Sequence, residues 1–362
     1  MPGATHTFLI ENSDAGTRVD RYLASRVPEL SRTRIQELIA AGLVRVGGES
    51  TKGSHKLRAG DEIRIEAQPR PPLCAEAEAI PLDVLYEDQD LLVVNKPAGM
   101  TVHAGAGNPR GTLVNALLGR GQTLSTGGDA LRPGIVHRLD KETSGIIVVA
   151  KNDFAHAQLA QAFARRNVKK TYLALLEGLL LDRHGRIELP IGRDLRRRTR
   201  MAVVRQKSAA ETIRANARPA RTDWQVLAHI AGTTLVEIQL HTGRTHQIRV
   251  HFSALQHPVV GDTLYGASER LRIAGVPADQ RLISGKAARQ TASTRKSAEK
   301  FMPPLGRNFL HAARLGFAQP RTGQWLEIRA PLPPDLGNYL HALASESGED
   351  SSRIDGALAA FL

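Results

Sequence analysis

Apolar positions recur along the chain at two periods, and the change from one to the other divides the sequence. In "RVDRYLASRV", Val19, Tyr22, Leu23 and Val27 fall at helical spacing, with Pro28 as the stop. "SRTRIQELIAAG" repeats that spacing with Ile35, Leu38 and Ile39, between Ser31 as predicted N-cap and Gly42 as C-terminal stop. The period then falls to two in "LVRVGGES" and "DEIRIEA", which predict short strands with Gly47-Gly48 as a tight turn. Residues 18–67 thus read as a small module, preceded by an extension, 1–17. Residues 68–81, "QPRPPLCAEAEAIP", carry prolines and no period, which predicts a linker.

From residue 82 to 334, short β-branched runs dominate: "DLLVVNKP", "GIIVVAK", "TYLALLEG", "TDWQVLAHI", "TTLVEIQL" and "QIRVHF". Helical patterns are fewer, chiefly "TLVNALLG" and "DFAHAQLAQAFARR". Closely spaced strands with few helices predict an α+β domain around a mixed, mostly antiparallel sheet. Residues 335–362 are polar and acidic before a last apolar stretch, and read as a mobile tail.

Charge narrows the picture. The 49 lysines and arginines exceed the 36 acidic residues by 13. That excess suits a polyanionic partner, because each neutralised phosphate releases counterions; a solubility charge spread over the surface is the alternative. Cys74 is the single cysteine, so neither an internal disulfide nor a cysteine zinc site is available. The first residues lack a signal peptide's apolar core, and no apolar run reaches the ~20 residues a bilayer demands. A cytoplasmic, soluble protein without membrane contact is expected. Arg32 and Arg34 occupy the second helix's first turn, where the helix dipole disfavours cations. A docked phosphate and a solvated face explain them equally well at this point.

Candidate chemistry centres on "HRLDKETSG", 137–145, which feeds the apolar run "IIVVAK". Asp140 and Glu142 sit among His137, Arg138 and Lys141. Such surroundings suit a carboxylate nucleophile or base and not a general acid, but a structural turn is as good a reading locally. In "THQIRVH" the alternation predicts a strand with Ile248 and Val250 on a buried face. Thr245, Gln247, Arg249 and His251 would share the other, lining a cleft or facing solvent. His241, His246 and His251 recur at steps of five, which splits them between strand faces and argues against a metal site. The glycine-rich "NKPAGMTVHAGAGNPRGT" lacks a P-loop ending and reads as a turn after a buried strand.

Two resemblances organise these pieces. "SRTRIQELIAAGLVRVGGES…KLRAGDEIRIEA" resembles the alpha-L RNA-binding module, which favours the phosphate reading of Arg32 and Arg34. "NKPAG", "GIVHRLDKETSGIIVVAK", "KKTYLALLEG", "HTGRTHQIRVHF" and "HPVVGDTLYG" follow the order found in the RluA/RluD-type RNA pseudouridine synthases. The resemblance spans roughly 18–334 and implies a catalytic domain, 82–334, with a central cleft. It implies isomerisation of uridine to pseudouridine in structured RNA, with large-subunit ribosomal RNA favoured, by a cytoplasmic monomer needing no metal or organic cofactor.

By position, Asp140 matches the family's catalytic aspartate and Arg138 the arginine that fills the helix where the base flips out. Tyr172 matches the tyrosine that stacks on uracil and is a candidate base. Arg249 matches the arginine that pairs with the aspartate, and Arg244 belongs to the same motif. Thr143, Ser144 and Gly145 would form the turn that delivers Asp140. The strip "RDLRRRTRMAVVRQK", including Arg197 and Arg198, would grip the RNA backbone. A basic insert, 267–307, departs from the family pattern and reads as a mobile loop. The competing class is a non-catalytic RNA-binding or ribosome-assembly protein, which would not need Asp140, Tyr172 and Arg249 together.

Overall fold

The computed structural model describes residues 4–27, 30, 32–67, 76–103, 109–121, 123–126, 132–197, 199–204, 216–273 and 300–361. They form two compact units, Met1–Leu73 and Cys74–Leu362.

In the first unit, strand β1 (Ala4–Leu9) leads to helices α1 (Val19–Arg26) and α2 (Arg32–Ala40). Strands β2 (Val44–Val46), β3 (Glu49–Ser50) and β4 (Glu62–Ala67) complete an antiparallel sheet in the order β1-β4-β2-β3. The helical stripe read from the sequence is the core: Val19, Tyr22, Leu23, Ile35, Leu38 and Ile39 pack on Val44, Ile63 and Ile65. Gly47 and Gly48, at φ +59° and +85°, make the two-residue turn that only such backbone freedom permits. Pro28 and Ser31 lie outside the described residues. Residues 4–9 are not a loose extension: they pair with β4 along their whole length, Phe8 opposite Ile63, while Ile10 is buried just after them. The run is too short, and too broken by polar residues, to announce a strand by itself.

The second unit is built on one nine-stranded sheet and a small side ladder. Its strands are β5 (Asp83–Glu87), β6 (Leu91–Lys96), β7 (Ser144–Ala150), β8 (Lys169–Glu177) and β9 (His184–Ile187). There follow β10 (Ile191–Arg193) and β11 (Met201–Val203), which form the ladder, and then β12 (Thr222–Ile230) and β13 (Thr233–Leu240). Strands β14 (Leu310–Ala318) and β15 (Trp325–Arg329) close the series. The large sheet runs β5-β6-β7-β14-β8-β13-β12-β9, with β15 beside β14. Among the described strands, only β7 and β14 pair in parallel.

Strands β6 and β7 are almost wholly apolar because both faces are covered. Leu91, Val93, Ile146 and Val148 meet helix α4 (Asp153–Ala164) through Ala155 and Leu159. Leu92, Val94, Ile147 and Val149 meet helix α3 (Leu113–Gly119) through Leu113 and Leu117. Thr112 caps α3, its hydroxyl accepting from the Asn115 N–H while Asn115 accepts from the Thr112 N–H, a box worth about 1 kcal/mol.

Three sequence expectations are corrected. First, "QIRVHF" is not a strand but the opening of helix α5 (Gln247–Ala254). Gln247 through Phe252 are all buried, so the alternation separates an apolar core from a buried polar network rather than core from solvent. Second, residues 335–361 are no mobile tail. Helices α6 (Pro334–Ser347) and α7 (Ser352–Leu358) put Leu336, Leu340, Leu343, Ile354 and Leu358 into the main core, and Phe361 joins them from the turn that follows. The i, i+4, i+7 spacing of the leucines lay beneath the acidic composition. Third, the turn before β7 is Asp140–Thr143, where the Thr143 N–H donates to the Asp140 carbonyl. Ser144 and Gly145 already belong to β7, opposite His311 and Ala312. Gly145, at φ +113°, lies so close to Ala312 that a Cβ would collide with its carbonyl.

The basic insert falls mostly outside the described residues, at 274–299. Its two ends pair with each other: the Ile273 N–H donates to the Lys300 carbonyl, the Met302 N–H to that of Leu271, and Leu271, Ile273 and Met302 are buried.

Candidate active site

Asp140 stands at the start of the turn that β7 anchors, on the wall of a cavity of about 80 Å³. Leu139, Tyr172, Leu240, Ile248 and Leu310 give that cavity apolar surface, and Asp140 is the one carboxylate on its wall among the described residues. Tyr172 comes from the middle of the sheet, on β8, opposite Ile238 of β13 and Ala312 of β14. Its side chain is nearly buried, and burial together with the nearby Asp140 pushes the phenol pKa well up. The ring is therefore a rigid neutral plate and holds its proton at neutral pH.

Arg249, on the first turn of α5, reaches Asp140 with Nη1 at 3.3 Å from Oδ2. Its firmer hold is on Asp262: Nε donates to Oδ2 at 2.6 Å and Nη2 to Oδ1 at 2.9 Å. The guanidinium carbon lies 4.8 Å from the centre of the Tyr265 ring. A forked pair fixes the guanidinium plane, and that plane aims the remaining N–H at Asp140. Asp262 is 2% exposed and Arg249 10%, so the arrangement is shielded from solvent.

His246 completes the surroundings. It enters α5 in the left-handed conformation, φ +57°, and its Nε2 lies 3.9 Å from Asp140 Oδ1. The Tyr265 hydroxyl accepts from the Met201 N–H at 3.0 Å and pairs with His246 Nδ1 at 2.7 Å. Burial lowers the imidazole pKa. Gln247 holds the strap in register: Oε1 accepts from Thr242 Oγ1 and the Arg244 N–H, and Nε2 donates to the Arg221 carbonyl and Thr222 Oγ1.

Lys96 supports the Asp140 turn from below. Fully buried, it donates Nζ to the carbonyls of Pro97 at 2.7 Å, Met100 at 2.9 Å and Lys141 at 3.2 Å. Burial pushes its ammonium pKa down to about 7. From the other side, Arg307 donates Nη1 to the Glu142 carbonyl and Ser144 Oγ while gripping Asp335 of α6 through Nε and Nη2. Glu142 contributes its backbone carbonyl here and its carboxylate does not line the cavity.

Comparison with known proteins identifies the family. The model of the RNA pseudouridylate synthase family matches residues 90–254, and that of the S4 domain matches 17–63. An uncharacterized RNA pseudouridine synthase of Bacillus subtilis is 39% identical over 326 residues, covering 90% of this chain and 94% of its own. Ribosomal large subunit pseudouridine synthase D of Vibrio parahaemolyticus is 38% identical over 344 residues, covering 95% and 96%. The chain belongs to the RNA pseudouridine synthase family. Among solved structures, that of Human RNA Pseudouridylate Synthase Domain Containing 1 is 28% identical with a TM-score of 0.50, over 73% of this chain and 89% of that one. The protein is thus an isomerase acting on RNA, with an N-terminal RNA-binding S4 domain and a large mixed-sheet domain.

In this synthase, Arg138 is exposed and lines the cavity, as does Arg244, whose Nε donates to the Pro219 carbonyl at 3.1 Å. Arg197 is exposed on the turn between β10 and β11, where its N–H donates to Asp194; Arg198 lies outside the described residues. Arg32 and Arg34 have protein partners. Arg32 Nη2 donates to the buried Asp20 at 2.8 Å, beside Arg18, and Arg34 Nη1 donates to Glu37 at 3.1 Å. Asp20 thus balances charge at the start of α2, and the guanidiniums of Arg18 and Arg32 hold its carboxyl well below the usual range.

Sequence reasoning missed Asp262, Tyr265 and His246 as parts of this constellation. All three stood inside the quoted motifs "HPVVGDTLYG" and "HTGRTHQIRVHF". Their roles depend on α5 turning Arg249 toward Asp262, which the strand reading concealed. His241, His246 and His251 each bond a different partner, Asp223, Tyr265 and Thr222. Among the described residues no group of three or more histidines, cysteines or carboxylates is arranged to hold a metal, and no helix is long and apolar enough to cross a membrane.

Proposed function

We propose that this synthase converts uridine to pseudouridine in large-subunit ribosomal RNA, with Asp140 as the reacting carboxylate and the target nucleotide flipped into the cavity. The observation that carries the reading is the single carboxylate on the cavity wall among the described residues, set near an aromatic plate and aimed by an arginine that Asp262 fixes. Isomerisation must break the base–sugar bond, turn the uracil and rejoin it through carbon 5. A group that bonds to the sugar or uracil, or removes a proton from the sugar, is needed, and Asp140 meets that need.

A base inside a stacked helix cannot reach a cavity of this kind, so the nucleotide must leave the stack. Tyr172 then offers its ring to the uracil, a contact worth about 1–3 kcal/mol per base. With its phenol pKa raised, Tyr172 stays protonated at neutral pH, which suits the platform role. Arg138, exposed on the cavity wall, is placed to occupy the gap the base leaves. The name of the Vibrio parahaemolyticus relative supports the choice of large-subunit ribosomal RNA.

The test is Asp140→Asn, a near-isosteric change, assayed on transcribed large-subunit ribosomal RNA by carbodiimide mapping of pseudouridine. The expected result is loss of the modification with RNA binding and melting temperature retained. Wild-type levels of pseudouridine from the variant would overturn the assignment.

A further inference from the structure

Beside the reaction cavity, four cations converge from separate parts of the chain. Arg166 lies just past α4 in the left-handed conformation, φ +63°, and Lys170 follows four residues later on β8. Arg218 precedes β12, and Arg244 sits in the strap after β13. Lys170 Nζ donates to the Thr242 carbonyl at 3.4 Å, and Arg244 Nε to the Pro219 carbonyl at 3.1 Å, so Lys170 leans on the strap and Arg244 ties it to the approach to β12. An open groove of about 310 Å³ lies there, lined by Arg166, Glu188, Pro219, Arg221 and Thr242.

The acidic groups nearby are already committed. Asp223 accepts from Arg221, Arg186 and His241, and Glu188 lies 3.7 Å from Arg221 and 3.8 Å from Arg186. Among the described residues, Arg166, Lys170, Arg218 and Arg244 have no carboxylate partner. They sense each other instead: burial, then Arg166 and Arg244, press the Lys170 ammonium down to about 8. Burial, then Arg218 and Arg166, lower Arg244. Arg166 lines the groove, Lys170 and Arg244 bond the carbonyls of its lining residues Thr242 and Pro219, and Arg218 adjoins Pro219, so like charges flank it with their counter-charges spent elsewhere, an arrangement that suits an anion. Thr242, on the groove, stands two residues from Arg244, on the reaction cavity.

We propose that this groove, lined by Arg166 and flanked by Lys170, Arg218 and Arg244, is a phosphodiester site that holds the RNA backbone next to the uridine in the cavity. The placement of the uridine rests on the reading of Asp140 given above; the groove itself does not. Guanidiniums meet the two free phosphate oxygens as forks while Lys170 supplies a point charge from beneath. Contacts of this type set position and carry no sequence information.

The experiment measures binding of a short oligouridylate by the full chain across a salt series, with wild type and the Arg166→Gln/Arg218→Gln double variant. Two lost phosphate contacts make the plot of log affinity against log salt shallower by about 1.4, at ~0.7 per contact on single strands. A second oligouridylate series carries one neutral methylphosphonate linkage at each position in turn. One linkage is expected to weaken wild-type binding and to have no further effect in the double variant. Arg183→Gln/Arg353→Gln removes equal charge from the opposite end of the β12–β13 hairpin, and there the slope should hold.

An unchanged slope in the Arg166/Arg218 variant overturns the site. So does an equal change in the Arg183/Arg353 variant, or strictly additive linkage effects. Because binding is read without turnover, the two readings fail separately. Pseudouridine formed with the slope unchanged sinks the groove alone; the slope change with an active Asp140→Asn sinks the catalytic assignment alone.

Discussion

Replacing Asp262 with asparagine separates the two jobs that Arg249 performs. Asp262 is almost inaccessible to solvent and takes two N–H groups of the guanidinium, at 2.6 and 2.9 Å. Opposite unit charges ~4 Å apart attract by about 4 kcal/mol at an effective dielectric of ~20. Removing one partner of a buried pair costs about 3–5 kcal/mol. The substituted amide would still accept one N–H and Asp140 remains within reach, so the lower end, about 3 kcal/mol, is expected. For a unit of this size that corresponds to a melting temperature lower by about 6–12 °C. Arg249 would also turn onto Asp140 without its fork, and a ~1 Å displacement at a reacting group costs about 10²-fold in rate. The double variant Asp262→Asn/Arg249→Met is the decisive partner. With no cation left at position 249 and a thioether against Tyr265, most of the stability should return while the rate stays low. Thermal unfolding and initial rates of pseudouridine formation on all three proteins test this. The reasoning fails if Asp262→Asn stays within about 1 kcal/mol of wild type, or if the double variant is less stable than the single.

Two further outcomes follow from the site and its supports. Tyr172→Phe keeps the plate and should keep the pH–rate profile, whereas Tyr172→Ala should raise KM by the about 1–3 kcal/mol that a stacked base contributes; a profile altered by the phenylalanine would show that the phenol takes part in proton transfer. His137 and His311 are held neutral: burial depresses them to about 3 and about 4, His137 accepting from the Val148 N–H and His311 meeting Ser144. Both folded values lie below the ordinary 6.5, so the unfolded chain binds the extra protons. Their stabilisation is present above pH ~6.5 and is lost as pH falls toward the folded values. Urea unfolding at stepped pH should show that decline, reduced in His311→Gln; a flat profile through this window contradicts the neutral assignment.

The sequence disclosed elements whose two-sided burial or helical stripe leaves a strong period, as in β6, β7, α1 and α2. It disclosed Asp140, Tyr172 and Arg249 through family motifs, not through spacing, since the three meet only when β7, β8 and α5 are assembled. Period-two alternation failed at 247–252 because polar residues there are as buried as the apolar ones, satisfied by Thr222, Arg221, Asp262 and Leu189. Nor did the sequence disclose that Arg32 bonds Asp20, twelve residues away on another helix. Composition also misled at the C-terminus, where the acidic and polar residues of 335–362 masked the leucine stripe of α6.

Parallel pairing of β7 with β14 joins Ser144 and Gly145 to His311 and Ala312. Arg307 adds its grip on the Glu142 carbonyl from the same late segment. During synthesis the "HRLDKETSG" segment leaves the ribosome long before these partners exist, and such distant pairings close slowly. A nascent chain that stops short of β14 carries Asp140 on a turn that Lys96 holds from below, without the pairing of β14 or the grip of Arg307. The turn that carries Asp140 therefore gains its last supports only after β14 has been made.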